Sequence, residues 1–267
     1  MENTGNKFAL ITGATGGIGY ELAKLFAKDK YNLIIVARHE DELNKTVAEL
    51  SSQFGIRVIP LAKDLFNPEA AFEVYNEVKA QGIDVEVLVN DAGQGQYGFF
   101  SDTDIRRELD IVQLNISSLL VLTKMFLKDM LSRRSGKILQ VASIAGKLPG
   151  PLQSVYHATK AFVLSHTESL VNELKDTGVT ITALMPGATE TDFFNKADAE
   201  NTKMVQEGSL SDPVDVAKDG YEALMSGESR IISGLKNKAM VGMSSVMPDN
   251  LVAEQMRKQM EQSEKGE

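Results

Sequence analysis

The chain has 267 residues, 43% of them hydrophobic, enough for one large α/β domain or two smaller ones with a substantial core. Its 37 acidic against 28 basic residues leave a net charge of −9, which argues against a nucleic-acid backbone or an anionic membrane as partner. With no cysteine, disulfides, thiolate catalysis and zinc–cysteine sites are excluded together, and only three histidines remain as nitrogen ligands for a metal. No stretch approaches the ~20 apolar residues of a membrane span, and Met1–Lys7 holds no apolar signal core. The expectation is a metal-independent cytoplasmic protein with no integral membrane segment.

Phe8 to Thr12 is a short apolar run that reads as a buried strand. Thr12-Gly13-Ala14-Thr15-Gly16-Gly17-Ile18-Gly19 follows directly, and an amphipathic helix from Tyr20 to about Lys28 follows that. Glycines suit a backbone that must approach a pyrophosphate closely, and the helix start offers free N–H groups and a positive dipole end. The spacing is G-x-x-x-G-x-G rather than G-x-G-x-x-G, and no Gly-Lys-Ser/Thr is present to mark a triphosphate loop. A turn needed only for close helix–strand packing is the plainer alternative.

The second strand, residues 32–36, ends in Ala37-Arg38-His39. At this strand end a carboxylate grips a ribose 2′-hydroxyl, whereas an arginine accommodates a 2′-phosphate. Arg38 therefore favours NADP(H) over NAD(H), its alternative being a solvated surface charge. Helices over about 41–54, 69–81, 105–133, 155–176 and 214–225 then alternate with strands over 57–60, 85–90, 137–141, 179–185 and 230–233. Seven strands with helical crossovers predict a doubly wound Rossmann fold, a seven-stranded parallel sheet flanked by helices on both faces. Residues 1–235 form the single domain, and 236–267 a helical tail packed on the core or on a neighbouring subunit.

Ligands in such sheets sit at the carboxyl ends of the strands. Those ends carry Gly13 to Gly19, Asp64, Asn90-Asp91-Ala92-Gly93, Ser143 and Pro186-Gly187. Tyr156 and Lys160 lie four residues apart, one turn along one face of a helix. An ammonium beside a phenol favours the phenolate and makes tyrosine usable as an acid or base. Taken alone, the pair reads far more readily as a half-buried ring and a solvated amine.

Together these residues resemble the classical short-chain dehydrogenase/reductase family over roughly residues 7–235. Thr12-Gly13-x-x-x-Gly17-Ile18-Gly19, with Thr15, looks like its cofactor loop, and Asn90-Asp91-Ala92-Gly93 like its Asn-Asn-Ala-Gly turn, with Asp91 departing from it. Asn115, Ser143, Tyr156 and Lys160 fall in the order of its catalytic tetrad, and Pro186-Gly187 with Thr189 and Thr191 resembles its nicotinamide-side segment. The resemblance implies hydride exchange between the nicotinamide and a carbonyl or alcohol carbon. Tyr156 would exchange the proton on the substrate oxygen, and Lys160 would lower the tyrosine pKa and bond the nicotinamide ribose. Ser143 would donate to the oxygen where charge develops, a contact worth ~3 to 4 kcal/mol in a water-poor site. Asn115 would hold a water joining Lys160 to solvent, its alternative being a polar residue bonded to nearby backbone. Asp64 would sit near the adenine, or merely cap a loop.

On the substrate side, segments 94–100, 145–154 and 188–208 bring Tyr97, Phe99, Phe100, Leu148, Leu152, Phe193 and Phe194, which suits a small apolar carbonyl or alcohol compound. Segment 195–208 reads as a mobile lid, and His157 as a packing or interface residue rather than a third acid. The apolar run 119–127 and Phe162-Val163-Leu164 exceed what one sheet contact covers, predicting a homodimer or homotetramer. The methionine-rich tail predicts an amphipathic helix over about 250–262. Two rivals share parts of this pattern: a catalytically silent NADPH-binding regulatory protein, and a nucleotide-sugar epimerase or dehydratase. The intact tetrad argues against the first, and the short region after Pro186 against the second.

Overall fold

The computed structural model describes residues 7–263; the expectations for the segment before Lys7 and for the last four residues of the tail, 264–267, lie outside the described residues. Seven strands form, β1 Phe8–Thr12, β2 Asn32–Ala37, β3 Val58–Ala62, β4 Val85–Asn90, β5 Gly136–Val141, β6 Val179–Met185 and β7 Arg230–Ile232. All pair in parallel in the order β3-β2-β1-β4-β5-β6-β7. The expected seven-stranded Rossmann sheet is therefore present. The order reverses between β1 and β4, which opens a crevice above their carboxyl ends.

Because successive side chains point to opposite faces, β1 feeds two cores. Phe8 and Leu10 pack with the helices α3 Ala70–Ala80, α5 Leu119–Ser132 and α6 Ser154–Glu173. Ala9 and Ile11 pack with α1 Gly17–Lys28, α2 Glu40–Phe54 and α9 Pro213–Ser226. The ends of α9 follow local chemistry: Asp212 accepts from Val214 N–H, Pro213 opens the helix and Gly227 closes it in the left-handed region.

Three elements differ from the expectation. The helix drawn over 105–133 divides into α4 Ile105–Val112, a π-helical turn over Gln113–Ser118, and α5. Apolar periodicity cannot reveal that turn, which widens the helix by one residue around Asn115. By length and composition Ile105–Ser132 is also apolar enough to cross a membrane, contrary to the expected absence of such a stretch. In the fold Leu122, Phe126 and Met130 of this helix are buried in the core beside the sheet.

The segment expected as a mobile lid carries α7 Phe193–Lys196 and α8 Lys203–Gln206 and is held by the tail. The tail itself contains α10 Leu235–Ser244 and α11 Asp249–Gln259. α10 buries no residue fully, but Met240 and Val241 pack half-buried against the core. In contrast, Val252, Met256 and Met260 of the tail are buried. Lys203 N–H donates to Glu261 O at 2.9 Å and Tyr97 Oη to Met260 O at 2.8 Å, which ties lid and tail together.

Candidate active site

The crevice between β1 and β4 continues into a cavity of about 1200 Å³ running from the glycine loop, Arg38 and Asp64 to Ser143, Tyr156, Lys160 and Pro186-Gly187. Thr15, Ile18, Ala92, Gly93, Thr189 and Thr191 also line it. Gly13 and Gly17 adopt φ of 73° and 55°, the left-handed region where a side chain is strained. Gly16 has open space where a Cβ would stand, and α1 has no side-chain cap. The loop is thus a bare backbone cradle at a helix N-terminus, which fits a pyrophosphate.

Beneath it, Thr12 Oγ1 accepts from Asp91 N–H and Ala92 N–H, each at 3.1 Å, joining the ends of β1 and β4. Gly19 does not line the cavity: a Cβ there would stand 2.5 Å from Asp91 Oδ2 and 2.6 Å from the Gly13 carbonyl oxygen. Its role is to admit the Asp91 carboxyl. Asn90, expected at the cofactor, turns its side chain into the core, with Nδ2 donating to Thr123 Oγ1 and Gln140 Oε1, both at 3.0 Å. Arg38 is exposed at the cavity edge, its guanidinium 5.2 Å from the Phe66 ring centroid. Asp64 accepts from Phe66 N–H at 3.2 Å, a local turn contact, and also lines the cavity.

On α6, Lys160 Nζ donates to Val141 O at 2.7 Å and lies 5.8 Å from the Tyr156 ring centroid. Burial holds the Lys160 ammonium down to about 8, against the opposing charge of Asp91. Burial pushes the Tyr156 phenol up to about 12, the Ser143 hydroxyl pulling it back and Asp91 adding to the rise. This differs from the expectation that Lys160 lowers the phenol. Desolvation of the ring is the larger effect, and the ammonium is engaged by the Val141 carbonyl and by Asp91.

Ser143 Oγ caps the short turn after β5, accepting from Ala145 N–H at 3.1 Å and donating to Pro186 O at 3.3 Å. Asn115 sits in the π turn with its side chain filled by protein partners. Its Oδ1 accepts from Gln94 N–H at 3.0 Å, and Nδ2 donates to Gln94 O at 2.9 Å and Thr159 Oγ1 at 3.0 Å. A Cβ on Gly93 would stand 3.3 Å from Asn115 Oδ1 and 3.4 Å from Lys160 Nζ, so a glycine here lets these two groups flank one narrow gap. Gln94 carries no signal in the sequence, because the clasp uses its backbone.

Among the aromatics expected to close the pocket, Phe193 packs on Tyr156 with ring centroids 4.9 Å apart and Phe194 lines the cavity. Tyr97 instead anchors the tail, and Phe99 and Phe100 face solvent at 52% and 63% exposure, so the expected apolar wall is smaller on that side. Met204, from segment 188–208 expected at the pocket, and Met240 and Met256, expected only in the tail, add apolar lining. His157 is a packing residue, buried, its Nδ1 2.8 Å from Leu148 O.

The family model described as short chain dehydrogenase matches residues 7–202. The chain belongs to the short-chain dehydrogenase family. The uncharacterized oxidoreductase YmfI of Bacillus subtilis (strain 168) is 32% identical over 86% of this chain and 95% of its own length. Other curated relatives are longer, the chain spanning 52 to 64% of them. Among solved structures, a short-chain dehydrogenase from Sphingobium yanoikuyae in complex with NADPH is 27% identical, with a TM-score of 0.80 over 91% of this chain and 96% of that one. A short chain dehydrogenase/reductase from Burkholderia phymatum in complex with NAD is 26% identical, with a TM-score of 0.81 over 91% and 94%. The family is one of dehydrogenases, and these two solved relatives hold a nicotinamide dinucleotide, NADPH in one and NAD in the other.

Proposed function

We propose that the protein is an NADP(H)-dependent reductase or dehydrogenase of a small, largely apolar carbonyl or alcohol compound. The observation that carries this reading is the continuous cavity linking the glycine cradle and Arg38 to Ser143, Tyr156 and Lys160. A bound nicotinamide would supply or accept the hydride. Gly13 to Ile18 would hold the pyrophosphate through backbone N–H groups, Lys160 the ribose, and Pro186-Gly187 with Thr189 and Thr191 the nicotinamide side.

The chain's own residues then handle the substrate oxygen. Ser143 Oγ, held by the Ala145 N–H it accepts from, turns its one hydrogen from the Pro186 carbonyl toward that oxygen. Tyr156, kept protonated by burial, gives its proton to the oxygen in reduction and takes one in oxidation. Phe193, packed at a tilt against the Tyr156 ring, keeps water from the phenol. Lys160 returns a proton to the phenol through the gap at Gly93, where Asn115 Oδ1 is the adjacent acceptor.

A panel of ketones, aldehydes and alcohols, followed by the absorbance of reduced nicotinamide, tests the reading. Turnover of apolar members with NADPH supports it, and tight NADPH binding without any turnover returns the regulatory alternative. For the cofactor, Arg38→Ala is expected to weaken NADPH about tenfold, some 1.4 kcal/mol, and to leave NADH nearly unchanged. Equal losses for both nucleotides contradict the NADP(H) assignment.

The exposed apolar side chains Ile105, Leu109, Leu131 and Phe162 on α4, α5 and α6 support assembly through these helices as a dimer or tetramer. Sedimentation at micromolar concentration is expected to give a species at least twice the chain mass of 29.1 kDa. A monomer alone contradicts this.

A further inference from the structure

Asp91 lines the cavity and has no part in the chemistry above. Its backbone is fixed at the end of β4 by Thr12, and its side chain runs under the glycine loop. A Cβ on Gly13 would stand 3.0 Å from Asp91 Oδ2, and the carboxyl accepts the backbone N–H of Gly19, the third residue of α1. Asp91 thus provides, from another strand, the cap that α1 lacks. Its Oδ2 and the Gly13 carbonyl oxygen converge on one point beside Gly19. An ionised carboxylate only accepts hydrogen bonds, and the Gly13 carbonyl is an acceptor too; a protonated carboxyl can donate, as the asparagine amide in the resembled motif can.

The charged and titratable groups facing this carboxyl come from α6. The Lys160 ammonium favours the carboxylate, and the Tyr156 phenol is coupled to the same charge. From β1, α1 and the glycine loop Asp91 meets Thr12 and backbone groups. Burial outweighs the ammonium and pushes the carboxyl up to about 7. A pyrophosphate on the other side of the loop adds negative charge and disfavours the carboxylate further.

We propose that Asp91 is a positioning residue that couples dinucleotide binding to proton uptake, its carboxyl bracing the Gly13–Gly19 loop as a hydrogen-bond donor when the nucleotide is bound. The inference rests on the dinucleotide reading above. The proton comes from solvent, and no bond other than O–H is made. The direction follows from linkage. A group whose pKa rises on binding leaves affinity at its full value below the free pKa of about 7. Affinity then falls as pH rises, by up to tenfold per unit, until the pKa of the bound form is reached.

The test is calorimetric titration of the full chain with NADH between about pH 6 and 9, in buffers of different ionisation enthalpy. NADH is the probe because it lacks the titrating 2′-phosphate. The wild type is expected to take up close to one proton per NADH at about pH 8, with affinity falling steeply across the range. Asp91→Asn is expected to bind with a flat pH profile, without that uptake, and more tightly than wild type at the alkaline end. Flat wild-type affinity without uptake overturns the proposal, and so does uptake that persists in Asp91→Asn, which puts the proton on Lys160.

Should Asp91→Asn fail to fold by circular dichroism, infrared difference spectra of the wild type decide. A protonated-carboxyl band gained on adding NADH supports the proposal, and its absence overturns it. Failure of NADH and NADPH to bind at any pH removes the dinucleotide reading as well, whereas tight, pH-independent binding removes this proposal alone.

Discussion

Tyr156→Phe is expected to lower turnover about 10²- to 10⁴-fold, the range a positioned acid or base contributes, while NADPH affinity stays nearly unchanged. The substitution removes one oxygen and leaves the ring, so the tilted contact with Phe193 and the neighbouring Lys160 persist. The pH dependence of the wild type has a definite sign. With the phenol pushed up to about 12 by burial, its proton is present throughout the neutral range. Reduction, which uses that proton, is expected to change little with pH near neutrality, whereas oxidation, which needs the phenolate, climbs as pH rises. Steady-state kinetics in both directions, with NADPH binding measured by fluorescence, check this. Retention of more than about a tenth of wild-type turnover in Tyr156→Phe excludes Tyr156 as the proton donor.

Lys160→Met is expected to damage three quantities at once. Turnover falls because the proton path to the phenol is cut, and nucleotide affinity falls because the ribose loses its donor. Stability falls as well, since removing the ammonium leaves the Asp91 carboxyl without its opposing charge. Breaking a buried pair in this way costs about 3 to 5 kcal/mol when the remaining charge stays ionised. Asp91 can take a proton instead, so the loss should be small below the carboxyl's value of about 7 and grow above it. Thermal unfolding across that range, with Asp91→Asn combined with Lys160→Met, separates the contributions. If the double variant is no more stable than Lys160→Met at alkaline pH, the two groups are not coupled.

The conjunction of Asp91, Lys160 and Tyr156 beneath one glycine loop explains why the cofactor cradle and the catalytic helix need to be read together. Gly19 is close-packed against Asp91, Asp91 acts on Lys160, and Lys160 sits below Tyr156 on the same helix. Phe193 and the tail close the other side, with Asn237 of α10 packed against Gly187.

The alternation of short apolar runs with amphipathic segments was sufficient to specify the seven-stranded sheet, because strand and helix periodicities differ and each crossover is local. The identities of the residues at the strand ends were also legible. A Gly-rich turn after β1, Ser143 after β5 and Tyr156 with Lys160 on α6 are local features of composition and spacing. Tertiary structure alone decided which way those side chains turn and what charge they carry. Asn90 reads as a cofactor residue yet points into the core, where Thr123 and Gln140 from α5 and β5 meet it. Tyr97 reads as pocket wall yet anchors the tail, and the π turn at Asn115 breaks a helix whose apolar period runs on unbroken. The Tyr156 phenol and the Lys160 ammonium shift through desolvation, which depends on neighbours far apart in the chain. Burial and long-range pairing are properties of the packed fold, so Asp91, a single departure from a familiar motif in the sequence, acquires its role only once Gly19 and Lys160 are brought against it.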